Sequence, residues 1–386
     1  MEIYLDNSAT TKPCKQTVAA MVKAMEERYY NPSALYAPAM YAEQELTQAR
    51  RVLAKSVDAD EKAVVFTSGG TESNHLAIVG YMAKQRGSGV ILYSAAEHPA
   101  VKNACIEAAA LYGHTAKEIP LNHAGTVELS ALEGMLDESV RLICVMQVCN
   151  ETGVVMPLTQ IATLRNALSP KAAIHVDGVQ GYLRLPFSLK TAAIQSYAVS
   201  AHKIHGPRGV GALMLGKGHK VHPIMLGGGQ ESGQRGGTEN TAGIAGFQAA
   251  VESCSPCGEA SAFMRGMKLH MVQMLQKEIP GMVVHGMPPE SEDAAAHILS
   301  MAFPPVRAET LMHALEGDGV IVGTGSACSS KKGKRSAVLT AMKIPPEQID
   351  ATVRISFSHE NTMEEAAYAA ECIIKQYRLL EKFTRR

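Results

Sequence analysis

The feature that most constrains the fold is a regular alternation of short apolar runs and helical patterns between about residues 60 and 215. The apolar runs, many of them β-branched, predict strands at 63–68, 89–94, 141–148, 172–177, 196–201 and 209–215. Helical patterns lie between several of these runs, at 71–85, 99–113 and 158–168. Near-continuous apolar strands separated by helices are typical of a mostly parallel sheet that is covered on both faces. We therefore predict an α/β domain whose ligands bind at the carboxyl ends of its strands.

The pattern changes at residues 227–240, a long polar loop of sequence GGGQESGQRGGTEN. Loops of this length are usually functional or disordered. The remaining patterns predict helices and short strands, with helices at 241–278, near 308–316 and at 363–383, and strands near 283–287, at 297–303 and at 353–359. We predict a large α/β domain over residues 16–250 and a smaller α+β domain formed by 1–15 and 251–386.

The charge balance argues against two classes of partner. The chain has 37 Lys+Arg and 37 Asp+Glu, so its formal net charge is zero and nothing global attracts nucleic acid or an anionic membrane. The first residues, MEIYLDNSATT, lack the basic region and apolar run of a secretory signal. No stretch approaches the roughly 18 apolar residues of a spanning helix. We therefore expect a cytoplasmic protein without nucleic-acid or membrane partners.

The eight cysteines are scattered, which does not resemble a disulfide framework. Cys254 and Cys257 form a lone CSPC without a second pair or nearby histidines, so we expect no metal site. Cys328 is different, because it lies in GTGSACSS and is followed by KKGKR. Glycine and serine give a flexible tether, and the adjacent cations either favour the thiolate or form an ordinary solvated cluster.

Four segments carry candidate chemistry, each with a simpler alternative. TSGGTES at 67–73 is either a phosphate cradle at a helix start or a tight turn in which Thr71 caps the helix. Asp177 ends a strand, where it either caps the next helix, ligates a metal or pairs with a protonated ring nitrogen. Lys203 is either a surface charge or a tuned nucleophile. His98 either caps a helix or stacks on a ring and moves protons.

Taken together, these groups suit one cofactor. Pyridoxal phosphate has a phosphate, a basic pyridine nitrogen and an aldehyde that reacts with a lysine. A phosphate cradle, a carboxylate at one strand end and a lysine at the next therefore match its three functional parts. Asp177 would keep the pyridine protonated, so that the ring withdraws electrons from the substrate.

Ten motifs resemble those of a known family. In order they are YLDNSATT (4–11), NPS (31–33), GGTESN (69–74), EHPAV (97–101), NETG (150–153), HVDGVQ (175–180), SAHKIHGPRG (200–209), RGGTEN (235–240), GSACSS (325–330) and RISF (354–357). The chain resembles the pyridoxal-phosphate-dependent cysteine desulfurases of the NifS/IscS type over nearly its whole length. The resemblance implies fold type I of these enzymes, with a mostly parallel seven-stranded sheet in the large domain.

The resemblance also implies a role for each matching residue. Lys203 would bind the cofactor aldehyde as a Schiff base, Asp177 would pair with the pyridine nitrogen, and His98 would stack on the ring. The remaining cofactor contacts implied are Gln180 to the ring oxygen, and Gly70, Thr71, Ser200 and His202 to the phosphate. Thr238 would reach the phosphate bound to a partner subunit, which implies a homodimer. Asn150 and Arg354 would orient the substrate, Arg354 through its carboxylate.

The implied reaction is the removal of sulfur from L-cysteine. Lys203 would take the Cα proton, Cys328 would attack the sulfur and keep it as a persulfide, and L-alanine would leave. The persulfide would then pass to an acceptor protein for iron–sulfur cluster assembly or for thiolation of tRNA or a cofactor. Alternatives are a selenocysteine lyase-like enzyme, an aminotransferase or lyase that does not use Cys328, and a catalytically silent sulfur-transfer scaffold.

Three residues depart from the family pattern. Ala34 and Tyr36 replace a serine and a histidine after NPS, and Ser232 replaces an arginine after GGGQE, although Arg235 remains. None is among the groups assigned to the chemistry. We therefore expect them to affect the substrate channel and subunit contacts rather than the reaction.

Overall fold

The structure is a computed structural model that describes residues 2–254, 257–325 and 335–383, without the side chain of Cys257. Cys328, Lys331, Lys332 and Lys334 therefore lie outside the described residues, and so does the predicted role of their segment.

The described residues form helices and strands that alternate along most of the chain. The helices are α1 (Lys15–Glu27), α2 (Ala37–Lys55), α3 (Gly70–Met82), α4 (Pro99–Tyr112), α5 (Leu129–Met135), α6 (Leu158–Leu168), α7 (Thr241–Ser253), α8 (Cys257–Glu278), α9 (Ala308–Gly317), α10 (Ala337–Ala341), α11 (Pro346–Asp350) and α12 (Met363–Leu380). The strands are β1 (Ile3–Tyr4), β2 (Val64–Thr67), β3 (Val90–Ser94), β4 (Thr115–Ile119), β5 (Val140–Met146), β6 (Ala173–Asp177), β7 (Ser196–Ser200), β8 (Gly211–Leu215), β9 (Val283–Val284), β10 (Ile298–Ala302), β11 (Val320–Ile321) and β12 (Thr352–Ser356).

The predicted sheet is confirmed as a seven-stranded sheet of order β2-β8-β7-β6-β5-β3-β4. Its pairs are parallel from β7 to β4, whereas β8 is antiparallel to both β2 and β7. Every residue of β6, β7 and β8 is buried, which explains why these strands read as continuous apolar runs rather than as alternating ones. The sheet is therefore mixed but mostly parallel.

Two neighbouring strands bring the candidate residues to one edge of this sheet. Asp177 is the last residue of β6 and pairs in parallel register with Ala198 of β7. Ser200 ends β7, and Lys203 follows three residues later in a single 3₁₀ turn. Parallel strands end at the same edge, so Asp177, Ser200 and Lys203 leave the sheet together.

A second region has its own sheets and its own hydrophobic core. Its antiparallel sheet has the order β12-β10-β9, and β1 pairs in parallel with β11. Isolated bridges join Asp6 to Ser356 and Gly323 to Arg354, so the two sheets meet beside Arg354. The core contains apolar residues of β1, α8, β10, α9, β12 and α12. The domain boundaries stay a prediction, but Val338 of α10 packs with the core of the large sheet instead.

The predicted helix at 241–278 is two helices, α7 and α8, and not one. Within the ranges that the structure describes, no helix is long and apolar enough to cross a membrane.

Candidate active site

The start of α3 forms a cradle at the end of β2. Gly69 precedes the helix with a φ of 149°, a backbone conformation that side chains rarely adopt, and no side chain caps the helix here. A Cβ on Gly70 would lie 2.7 Å from a methyl carbon of Val179, and one on Gly69 would lie 3.7 Å from Ser200 Oγ. Both glycines therefore allow close approach of the backbone. The first N–H groups of a helix lack intrahelical partners and favour an anion.

Asp177 is a buried carboxylate with donors on both oxygens. Asn74 Nδ2 donates to Asp177 Oδ2 at 2.8 Å, and the backbone N–H of Val179 donates to Oδ1 at 2.9 Å. Only 7% of Asp177 is exposed. The alternative that Asp177 caps the next helix is wrong, because the described residues between β6 and β7 form turns and no helix, and Asp177 instead accepts the N–H of Val179 within a turn. Its remaining lone pairs are available to a cationic ring.

Lys203 lies beside the N-terminal segment 4–11. Its Nζ donates to the backbone oxygens of Ser8 at 2.5 Å and Ala9 at 2.8 Å. Burial lowers the pKa of Lys203 to about 7, aided by the nearby guanidinium of Arg354 and opposed by the carboxylate of Asp177. A substantial fraction of the amine is therefore neutral at pH 7, as a nucleophile requires.

His98 has the capping role that the sequence left open, and its role against a cofactor ring stays a prediction. Its Nδ1 accepts the backbone N–H of Ala100 at 3.2 Å, so the side chain caps α4. Desolvation nevertheless lowers the pKa of the imidazole, and Asp177 and Lys203 act on that pKa in opposite directions. His98 therefore lies within electrostatic reach of both, although its side chain is solvent-exposed.

Gln180 and His202 both bind the N-terminal segment. Gln180 Nε2 donates to the backbone oxygen of Ser8 at 2.9 Å, and its Oε1 accepts Arg184 Nη1 at 3.0 Å. His202 Nδ1 lies 3.2 Å from Thr10 Oγ1, and burial lowers the pKa of His202 to about 4. The imidazole of His202 is therefore neutral at pH 7.

Arg354 is a buried guanidinium on β12, facing the large sheet. Its Nη2 is 2.5 Å from Asp6 Oδ1, and its Nη1 donates to the backbone oxygen of Asn150 at 2.9 Å. Its Nε is buried without a hydrogen-bond partner among the described residues. An unsatisfied guanidinium N–H beside Asn150 and Lys203 suits a substrate carboxylate.

The chain enters and leaves residues 326–334 beside Arg354. Ser336 Oγ donates to Glu151 Oε2 at 2.6 Å, and a Cβ on Gly325 would lie 3.7 Å from the same oxygen and 3.8 Å from Arg354 Cβ. Burial raises the pKa of Glu151. Glu151 therefore contacts the described residues on both sides of the segment that contains Cys328.

Two predicted phosphate residues are less enclosed. Thr71 and Thr238 are both exposed, and Thr238 lies in the glycine-rich loop 227–240. Arg235 of that loop donates from Nε to Glu72 Oε1 at 2.9 Å, which ties the loop to the first turn of α3. Within a single chain, Thr238 lies outside the cluster of side chains around Lys203.

Three buried polar side chains were not assigned from the sequence, namely Asn74, His175 and Glu97. All three lie inside quoted motifs, and His175 stands two residues before Asp177, hence on the same face of β6. Glu97 Oε1 accepts Ser94 Oγ at 2.7 Å and the backbone N–H of Met146 at 2.7 Å, and burial raises the pKa of Glu97 to about 8. Among the described residues, no group of three His, Cys, Asp or Glu side chains is arranged to hold a metal ion.

Known proteins match this chain over nearly its whole length. A family model described as aminotransferase class-V matches residues 3–368. A cysteine desulfurase from Sinorhizobium fredii is 34% identical over 365 residues, which cover 94% of this chain and 93% of the relative. A solved NifS-like protein has a TM-score of 0.90 and 30% identity, with 100% of both chains covered. A structure of SspA in complex with cysteine has a TM-score of 0.80 and 27% identity, covering 94% of this chain and 100% of its own.

Proposed function

This chain belongs to the aminotransferase class-V family, and we propose that it is a cysteine desulfurase that binds pyridoxal phosphate at this site. The family match confirms the resemblance inferred from the ten motifs. The observation that carries the proposal is the meeting of Lys203, Asp177 and Arg354, which come from distant parts of the sequence. Lys203 donates to the backbone oxygen of Ser8 and Arg354 to Asp6, so both bind the N-terminal segment, and the charges of Arg354 and Asp177 both act on the pKa of Lys203.

The residues present fit pyridoxal phosphate. The uncapped start of α3, with Gly70, Thr71 and Ser200, matches a phosphate, and Asp177 matches a protonated pyridine nitrogen. The remaining assignments are His98 against the ring face, Gln180 at the ring oxygen, His202 at the phosphate and Lys203 at the aldehyde. When bound, the cofactor supplies an electron sink for negative charge that develops at the substrate Cα.

The substrate side is supplied by the second region. Arg354 would bind the carboxylate of L-cysteine through its unpartnered Nε, with Asn150 beside it. The neutral amine of Lys203 would then accept the Cα proton, because its pKa of about 7 matches the working pH of such a base. With this division, the carboxylate and the Cα of one substrate would lie between the two regions.

Cys328 would receive the sulfur. Its thiolate attacks the sulfur of L-cysteine, a sulfur–sulfur bond forms, and the carbon–sulfur bond breaks with its electron pair left on carbon. That carbon takes up a proton, so L-cysteine and the Cys328 thiol give L-alanine and the Cys328 persulfide. The support is positional, since Gly325 and Ser336 bring the chain ends of this segment to Glu151 and Arg354. An acceptor protein with a nucleophilic thiol would then remove the sulfur.

A homodimer is supported by an unpartnered apolar surface. Val18, Val22, Met25 and Tyr29 follow one another at helical spacing along α1 and just beyond it, and all are exposed. Leu35 in the next loop is 99% exposed. Continuous exposed apolar surface of this kind marks protein contacts. A second copy covering it would also give the exposed Thr238 a neighbouring subunit to reach.

Cys328→Ser tests the proposed sulfur transfer. With pyridoxal phosphate and a reductant, the wild type should release sulfide and alanine from L-cysteine, whereas Cys328→Ser should bind cofactor and cysteine normally but release almost no sulfide. Cys14→Ser is the matched control, since Cys14 caps α1 by accepting the N–H of Thr17, a role that serine also performs. Full sulfide release by Cys328→Ser would refute the persulfide role.

A further inference from the structure

A chain of buried polar groups leads from the interior of the large sheet to Asp177. Ser196 Oγ lies 2.8 Å from His175 Nδ1, and His175 Nε2 lies 2.9 Å from Asn74 Oδ1. Asn74 Nδ2 donates in turn to Asp177 Oδ2 at 2.8 Å. At most 1% of Ser196, His175 or Asn74 is exposed, so water does not replace these contacts. We call Ser196, His175 and Asn74 the donor chain.

Asp177, at which the donor chain ends, fixes the direction of every hydrogen bond in that chain. A carboxylate only accepts, so Asn74 must present its NH₂ to Asp177 and its oxygen to His175. His175 must then carry its hydrogen on Nε2. Burial lowers the pKa of His175 to about 3, with a smaller contribution from His219, so the ring is neutral and its Nδ1 accepts from Ser196. All three groups therefore donate toward Asp177.

The fold builds this arrangement from three elements. Ser196 starts β7 and is the register partner of His175 on β6, whereas Asn74 lies one turn into α3, beyond the glycine cradle. Helix, strand and neighbouring strand must therefore be in place before Asp177 receives its donor. The carboxyl of Glu97 is also buried nearby, and burial raises its pKa to about 8 with a contribution from the negative charge of Asp177.

We propose that Asn74 and His175 are positioning residues that hold the carboxylate of Asp177 aimed at the ring nitrogen of the cofactor. The inference rests on the proposed function, since it requires pyridoxal phosphate at Asp177. Asn74 donates to Asp177 Oδ2 and so holds the carboxylate in place, and His175 prevents the Asn74 amide from turning its oxygen toward the carboxylate. Without them Asp177 would pair less well with the ring nitrogen, which would then hold its proton less firmly.

The test measures the protonation state of the cofactor's ring nitrogen by ¹⁵N NMR. Protein loaded with pyridoxal phosphate labelled with ¹⁵N in the ring should give the signal of a protonated nitrogen at pH 7.5. His175→Phe and Asn74→Leu should shift that signal toward the unprotonated position and weaken cofactor binding about tenfold or more. His175→Gln keeps an N–H donor and should restore most of the wild-type signal. Ser196→Ala, one step further away, should have the smallest effect.

His285→Phe is the matched control. His285 is also a buried histidine, with Nε2 3.1 Å from Thr352 Oγ1 and a pKa lowered to about 4, but it lies between β9 and β12. It should lose stability like His175→Phe while the ¹⁵N signal stays unchanged. Wild-type signals in both His175→Phe and Asn74→Leu would overturn the inference. If those variants do not fold, Ser196→Ala decides it, because a signal in Ser196→Ala identical to that of the wild type would overturn the inference. Failure of the wild type to bind the cofactor would instead refute the proposed function.

Discussion

Among the described residues, burial lowers the pKa of two lysines, one in each region. Burial lowers the pKa of Lys203 in the large region and that of Lys268 on α8 in the second region, in both cases to about 7. Lys203 Nζ donates to the oxygens of Ser8 and Ala9, whereas Lys268 Nζ donates to the oxygen of Ala295 at 3.1 Å. The same perturbation of the pKa thus occurs in two different settings.

The difference lies in what surrounds each amine. Arg354 and Asp177, two groups with proposed roles in binding, both act on the pKa of Lys203, which lies in the turn that follows β7. Lys268 is influenced by Arg265 and Glu290 and is only 2% exposed. A lowered pKa therefore identifies a reactive group only where binding groups for a ligand converge on it.

The largest expected effect is that pyridoxal phosphate attaches covalently to Lys203 and not to Lys268. Borohydride reduction of the cofactor-loaded protein should fix pyridoxal phosphate to the peptide that contains Lys203, as mass spectrometry would show. Lys203→Ala should lose this attachment and about a thousandfold or more of the sulfide-forming rate, because both the Schiff base and the proton acceptor are gone. Lys268→Met should keep both. Attachment at Lys268, or undiminished activity of Lys203→Ala, would remove the distinction between the two amines.

A smaller effect is expected from the arginines beside each lysine. Arg354→Gln removes the proposed partner of the substrate carboxylate, so the KM for L-cysteine should rise about tenfold or more while cofactor attachment persists. It also removes a cation near Lys203, so the pKa of that amine should rise in the cofactor-free protein. The pH dependence of acylation at each lysine, measured by mass spectrometry, reports that pKa.

Arg265→Gln is the corresponding control, because Arg265 donates to the backbone oxygens of Pro289, Ser291 and Ala294 and lies near Lys268. It should raise the pKa of Lys268 and leave the KM for L-cysteine unchanged. An unchanged KM in Arg354→Gln would place the substrate carboxylate elsewhere.

The large region was predictable because its strands are buried on both faces. The apolar runs that end at Asp177 and Ser200 became β6 and β7 within a residue of the predicted bounds. β4 was missed, since its sequence TAKEI is polar and largely exposed, as suits an edge strand. Helices α1 and α2 were also missed, because exposed apolar residues such as Met25 and Met40 blur the apolar stripe that normally identifies a surface helix.

The motifs predicted individual residues of the candidate site but not the contacts between them. Asp177 and Lys203 stand out because a charged residue at the end of an apolar strand is unusual. The contacts of Arg354 with Asp6 and Asn150 span 348 and 204 residues, and no local pattern indicates such pairings. The same holds for Asn74 and Asp177, which meet across 103 residues of chain.

The smallest expected effect tests whether burial of Lys268 lowers the free energy of unfolding without serving the proposed reaction. The unfolded chain protonates this lysine up to its ordinary pKa of 10.5, whereas the folded protein releases the proton near 7, so the unfolded state binds more protons between these values. The free energy of unfolding of the wild type, relative to Lys268→Met, should therefore rise with pH from about 7 to 10. The slope should approach roughly 1.4 kcal/mol per pH unit. The bond to Ala295, which the variant lacks, adds an offset that does not change with pH. Urea titrations of both proteins at several pH values give this difference directly. A difference that does not change with pH would mean that Lys268 titrates normally, and would leave Lys203 as the perturbed amine of the pair.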